Sequence, residues 1–162
     1  MKNSLWLALM AGALIAMVPG RAAADRDPPQ SQQASQIVSL VDKAAALIEA
    51  KGKDAAFAEF RKKGSIWFTG NFYVFADDMA GNVLLNPAFP HHEGKNVIDQ
   101  RDANGKLLQI AMVERLKENE AGWVDYMWPK PGQTKASLKW SYVRRVNLDS
   151  VPGLVGAGFY PE

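Results

Sequence analysis

Lys139 stands in "GWVDYMWPKPGQTKASLKWSYVRRV", residues 122–146, between Leu138 and Trp140. The stretch reads as two aromatic-rich strands joined by a Pro-Gly loop. Side chains along a strand repeat every two residues, so Tyr126 and Trp128 share a face. A buried ammonium is costly without a counter-charge. An anionic guest would supply that charge, and tyrosine hydroxyls would complete its hydrogen bonds. The other reading is that Lys139 lays its stem along Trp140 and carries its ammonium out to water. Strict alternation sends Lys139 and Tyr142 to opposite faces. Either a bulge brings both to one pocket, or only one of them reaches it.

Other constellations carry less. His91 and His92 are the only histidines and are adjacent, followed by Glu93. With no cysteine and no third histidine, they fall short of a metal's ligand count and read as a solvated loop. In "QRDANGK", aligning Gly105 with the glycine of a calcium loop leaves Gln100 at position one and Ala111 at position twelve. The acidic ligands required there are missing, so the segment reads as a tight turn with a left-handed glycine. No phosphate-binding glycine loop, nucleophile elbow or HExxH helix is present. Asp77 and Asp78 read as turn residues, where Asp is favoured for backbone reasons. No reactive pair can be named, so the expectation is a protein that is not an enzyme and uses no cofactor.

The elements that position Lys139 follow from periodicity. Ile37, Leu40, Val41, Ala44, Leu47 and Ile48 form an apolar stripe at helical spacing, with Ser35 as N-cap and Gly52 as stop. A shorter helix is expected over residues 54–62, burying Phe57 and Phe60. "NFYVFADD" (71–78) is a strand, "DMAGN" a turn and "VLLN" (83–86) the return strand. A long Pro- and Gly-rich connection follows, of a length that usually serves a function. "KLLQIAMVERLKENE" is helical, with Leu108, Met112 and Leu116 spaced by four. The two opening strands and a last strand in "VPGLVGAGFY" complete the order. Helices around one antiparallel sheet make an α+β domain.

At 162 residues the chain supports one domain with a real core. Its first 24 residues have an early Lys, an apolar run and a small-residue "AAA", the layout of a signal peptide cleaved after Ala24. A retained membrane anchor is the other reading of this segment. Residues 25–34 read as a flexible leader and 35–162 as the domain. Of 19 basic residues, Lys2 and Arg21 lie in the leader, leaving 17 against 17 acidic. The mature chain is near neutral, which argues against nucleic acid as partner. The absence of cysteine excludes disulfides and thiol catalysis.

Taken together, "GNFYVFADDMAGNVLLNPAFPHHEGKNVIDQRDANGK", "GWVDYMWPKPG", "LKWSYV" and "VGAGFY" resemble the single Cache domain, second type. Such domains are extracytoplasmic sensors of bacterial chemoreceptors and histidine kinases, also found as free-standing exported proteins. The resemblance runs over residues 37–160, and W-P-K-P-G followed by K-x-x-Y-V is its most specific part. It implies a PAS-like antiparallel sheet, a long N-terminal helix, a helix packed over one face, and a pocket on the sheet for a short carboxylate. Carried onto this chain, it implies that Lys139 pairs with the ligand carboxylate and Tyr142 adds a hydroxyl. Tyr126 and Trp128 form the aromatic wall, and Tyr73 and Phe75 join from the first strand. Where many members have His-Pro after the hairpin, this chain has Asn86 and Pro87; Asn86 can hydrogen-bond but cannot become cationic. Arg101 would be a second cation.

The expected function is an exported, periplasmic or secreted sensor-type domain that binds a small organic anion. The chain ends at Glu162, so its ligand or its ligand-bound shape is expected to pass to a membrane sensor kinase, chemoreceptor or transporter. A homodimer through the N-terminal helix is a further expectation. The alternative is a protein-interaction module whose pocket is filled by Trp128, Trp140 and Phe75.

Overall fold

The computed structural model describes residues 27, 28 and 30–161. The expected signal peptide lies outside the described residues. None of the described helices is long and apolar enough to cross a membrane.

Helix α1 spans Gln32–Lys51, and it is capped by Ser31, whose hydroxyl accepts from Ala34 N at 3.0 Å. The expected cap, Ser35, lies one turn inside instead. Gln32 and Gln33 are good helix formers, so the upstream serine captures the free N–H groups first. Part of the expected flexible leader is therefore helical. Gly52, at φ 79°, ends α1 as expected and donates its N–H to Ile48 O. Helix α2, Lys53–Phe60, follows at once and buries Phe57 and Phe60.

Strand β1 (Phe68–Thr69) was not legible in the sequence; two residues are too few to show a period. β2 is Phe72–Asp78 and β3 is Val83–Leu85. Residues 90–92 make one 3-10 turn in the long connection. Helix α3 (Leu108–Glu118) buries Leu108, Met112 and Leu116, the residues expected from their spacing. Then come β4 (Ala121–Pro129), β5 (Ala136–Leu148) and β6 (Val151–Phe159). All pairings are antiparallel, in the order β1-β2-β6-β5-β4, with β3 also on β2. This is the α+β, PAS-like sheet that the sequence implies.

Each face of the sheet has its own core. On one, Ile37, Val41, Ala44 and Ile48 of α1 pack on Val74, Val155, Ala157 and Phe159. On the other, Met112 and Leu116 of α3 pack on Phe75, Val124, Val143 and Leu154. Burying each of the Ile, Val, Leu, Met and Phe side chains among these contributes about 1.5–3 kcal/mol, so packing rather than propensity holds both helices. Odd-numbered residues of β2 and β5 face α3, and even-numbered ones face α1. That parity decides which side chains can meet in a site.

Candidate ligand pocket

Lys139 is 1% exposed and faces the α3 side. Its Nζ donates to the Tyr73 hydroxyl at 2.9 Å and stands 4.1 Å from the centroid of the same ring. The rings of Phe75, Tyr126 and Tyr160 lie 5.4–5.9 Å away. The ammonium therefore sits in an aromatic cage and does not reach water along Trp140, whose ring is on the opposite face. Among the described residues no carboxylate forms an ion pair with it. Burial alone lowers its pKa from 10.5 to about 7.

A cavity of about 30 Å³ adjoins this cage. It exceeds the ~10–15 Å³ that one water needs and is far below the ~300–1,000 Å³ of drug-sized pockets. Lys139, Tyr73, Phe75, Tyr126, Trp128 and Asn86, six of the eight expected site residues, line it together. Trp128 and Phe75 stand in the wall without closing the space, and Trp140 is not part of it.

The remaining two lie elsewhere. Tyr142 is on the α1 face, its ring 5.1 Å from Trp123. Register runs unbroken from Trp123 opposite Tyr142 to Tyr126 opposite Lys139, so no bulge brings Tyr142 round. The three-residue separation decides the matter by parity. Arg101 is exposed and donates Nη1 to Gly105 O at 2.8 Å, bracing the turn whose Gly105 has the expected left-handed φ of 85°.

Several lining residues escaped the sequence reading. Asp77 is not a turn residue: it is 5% exposed on β2, on the face of Tyr73 and Phe75, and it lines the cavity. Burial raises its pKa from 3.8 to about 7, with Asp78 adding to the rise. The turn role belongs to Asp78 alone, whose Oδ1 accepts from Ala80 N and Asn82 N. Gln109 is 1% exposed and lines the same cavity; its amide eases the Asp77 shift, yet among the described residues its Nε2 meets no acceptor at full hydrogen-bond geometry. The period-2 run 73, 75, 77 was the available signal for Asp77. Nothing in the sequence marked Gln109.

Polar contacts set the walls. The Tyr126 hydroxyl and Ser141 Oγ are 2.9 Å apart, and Tyr160 donates to Pro129 O at 2.6 Å. Burial raises the pKa of Tyr73, Tyr126 and Tyr160, so all three stay neutral hydroxyls at physiological pH. The "HHEG" segment is more than a solvated loop. His92 lines the cavity with its ring 5.4 Å from Trp128. Glu93 accepts two 2.8 Å hydrogen bonds from Arg61 and one at 2.7 Å from Asn86 N, tying the mouth of the cavity to the segment after α2. Among the described residues no three His, Cys, Asp or Glu side chains group as metal ligands.

A family model described as "Cache domain" matches residues 31–160. The methyl-accepting chemotaxis protein McpP of Pseudomonas putida is 28% identical over 90 residues, covering 56% of this chain and 16% of that protein. The sensor histidine kinase MctS of Rhizobium johnstonii is 31% identical over 88 residues, covering 54% and 18%. The chain thus spans less than a fifth of the length of these relatives. A solved periplasmic sensor domain of a chemotaxis protein superposes with a TM-score of 0.69 at 30% identity, covering 80% of this chain and 95% of that one. A second, from work on carboxylic acid recognition by a Cache chemosensory domain, gives 0.69 at 24%, covering 82% and 100%.

Proposed function

The chain belongs to the Cache domain family, and from that premise we propose that it is an extracytoplasmic ligand-binding sensor domain for a short carboxylate. One observation carries the reading: Lys139 is a fully buried ammonium with an adjoining cavity and no carboxylate partner among the described residues. A carboxylate guest would supply the missing charge. Its second oxygen would accept from a neutral tyrosine hydroxyl such as Tyr73, and its tail would lie against Phe75, Tyr126 and Trp128. Bound this way it would restore the Lys139 pKa, so binding and protonation would reinforce each other.

The small cavity favours acids of a few carbons. It also speaks against the interaction-module alternative, which needs the space to be filled. Signalling proteins of the kinds matched here, a chemotaxis receptor and a sensor kinase, are the partners this reading implies. Cache domains are periplasmic sensor domains, and we place this chain there as an exported protein.

The test is a thermal-shift screen of formate, acetate, propionate, butyrate and pyruvate, followed by calorimetry on any that stabilise the protein. At least one acid should raise the melting temperature. Charged hydrogen bonds of about 1.5–3 kcal/mol each mean that Lys139→Met should weaken its binding by roughly tenfold or more. No stabilisation by any acid, or equal affinity in Lys139→Met, sinks the proposal.

A further inference from the structure

The cavity wall holds a second polar group, Asp77 with Gln109, that a simple fatty acid would leave unused. Asp77 and Gln109 both line the cavity, both are buried, and among the described residues the Gln109 Nε2 has no partner at full hydrogen-bond geometry. A buried amide donor that meets no acceptor at full hydrogen-bond geometry is costly, and a buried carboxyl whose one polar neighbour is that amide is poorly compensated. Those groups are therefore either strained or waiting for a ligand atom. Their place in the cavity wall favours the ligand.

Strand geometry sets the distance. Tyr73, Phe75 and Asp77 succeed one another on one face of β2, at about 6.6–6.8 Å per step. Lys139 Nζ lies against Tyr73 and within 5.4 Å of the Phe75 ring centroid. Asp77 is one full step beyond Phe75. Along β2, Asp77 therefore lies farther from the ammonium than Phe75 does, and apolar Val83, Leu108 and Met112 are among the residues that complete the lining.

We propose that Asp77 and Gln109 form a second subsite that selects short acids bearing a hydroxyl at the end remote from the carboxylate. This rests on the carboxylate reading at Lys139. A hydroxyl suits the pair because it accepts one hydrogen bond, from the Gln109 amide, and donates one, to the Asp77 carboxyl. A methyl end satisfies neither group. A 2-hydroxyl would sit beside the carboxylate, within reach of Tyr73 and not of Asp77. A site built to bond a hydroxyl discriminates strongly against the analogue that lacks it, because its own buried groups are then left unpaired.

The experiment is calorimetry on the full chain with matched pairs: propionate against 3-hydroxypropionate, and butyrate against 4-hydroxybutyrate. At least one hydroxy acid should bind about tenfold more tightly than its parent. In Asp77→Ala and Gln109→Met the ratio of the two affinities within a pair should fall toward one. Equal affinity within both pairs, a stronger preference for β-alanine, or an advantage that survives both variants overturns the inference. If Asp77→Ala does not fold, the wild-type pairs decide alone. Parent acids that bind without gain from the hydroxyl defeat only this subsite. Binding of no acid at all defeats the Lys139 reading, and this one with it.

Discussion

Lys139 reaches Tyr73 in two ways at once: its Nζ donates to the hydroxyl at 2.9 Å and lies 4.1 Å from the ring centroid. The two residues are 66 apart in the chain and sit on strands separated by β6. Among the described residues only dipoles and π-faces compensate the charge, so the ligand-free site is an electrostatic burden on the fold.

That burden should show as pH dependence. The Asp77 pKa rises from 3.8 to about 7, so between about pH 4 and 7 the native state holds more protons than the unfolded state, and stability falls as pH rises. The Lys139 pKa falls from 10.5 to about 7, so between about pH 7 and 10 the native state holds fewer protons, and stability recovers as pH rises. The ligand-free protein should have a trough of melting temperature near neutrality. Lys139→Met should melt higher there and lose the alkaline recovery. Superimposable profiles for the two proteins would contradict this.

Tyr142 and Tyr73 should separate cleanly in binding. Tyr142 faces α1, so Tyr142→Phe should leave the affinity for any carboxylate ligand unchanged within about twofold. Tyr73→Phe removes a hydroxyl beside the ammonium and should weaken binding by about two- to tenfold, from ~0.5–1.5 kcal/mol. Calorimetry on both variants checks the assignment, and the reverse ranking would refute it.

Gly158 is pinned by close approach. A Cβ there would meet the Ser141 hydroxyl, and it would lie 2.5 Å from Trp140 O and 2.7 Å from Lys139 Cε. Gly158→Ala should destabilise the protein by about 1–3 kcal/mol through overpacking and displace the Lys139 stem. Urea unfolding and ligand titration together test this. A variant of native stability that still binds would show the strands have more slack than these distances allow.

The Arg61–Glu93 pair should matter to motion more than to stability. Exposed ion pairs contribute about 0–1 kcal/mol, so Arg61→Ala should change global stability little. It should nevertheless speed amide exchange across residues 86–95, because Glu93 also accepts from Asn86 N. Exchange measured by mass spectrometry that is unchanged in this segment would remove Glu93 from the description of the cavity mouth.

The sequence by itself settled the α+β class, the order of the main elements, the Gly52 stop, and Lys139 as the residue to explain. These depend on periods of 2 and 3.6 and on turn chemistry, which neighbouring residues define among themselves. Parity was also legible, and it already placed Lys139 and Tyr142 on opposite faces unless a bulge intervened. Only the tertiary structure ruled that bulge out, since it is a property of the pairing between β4 and β5. It alone brought Gln109 from α3 against Asp77 on β2, because no local pattern records how a helix docks across a sheet. Burial, and with it the charge state of Asp77 and Lys139, arises from atoms distant in the chain. That is why the fold could be read residue by residue, whereas the chemistry of the cavity required the packed protein.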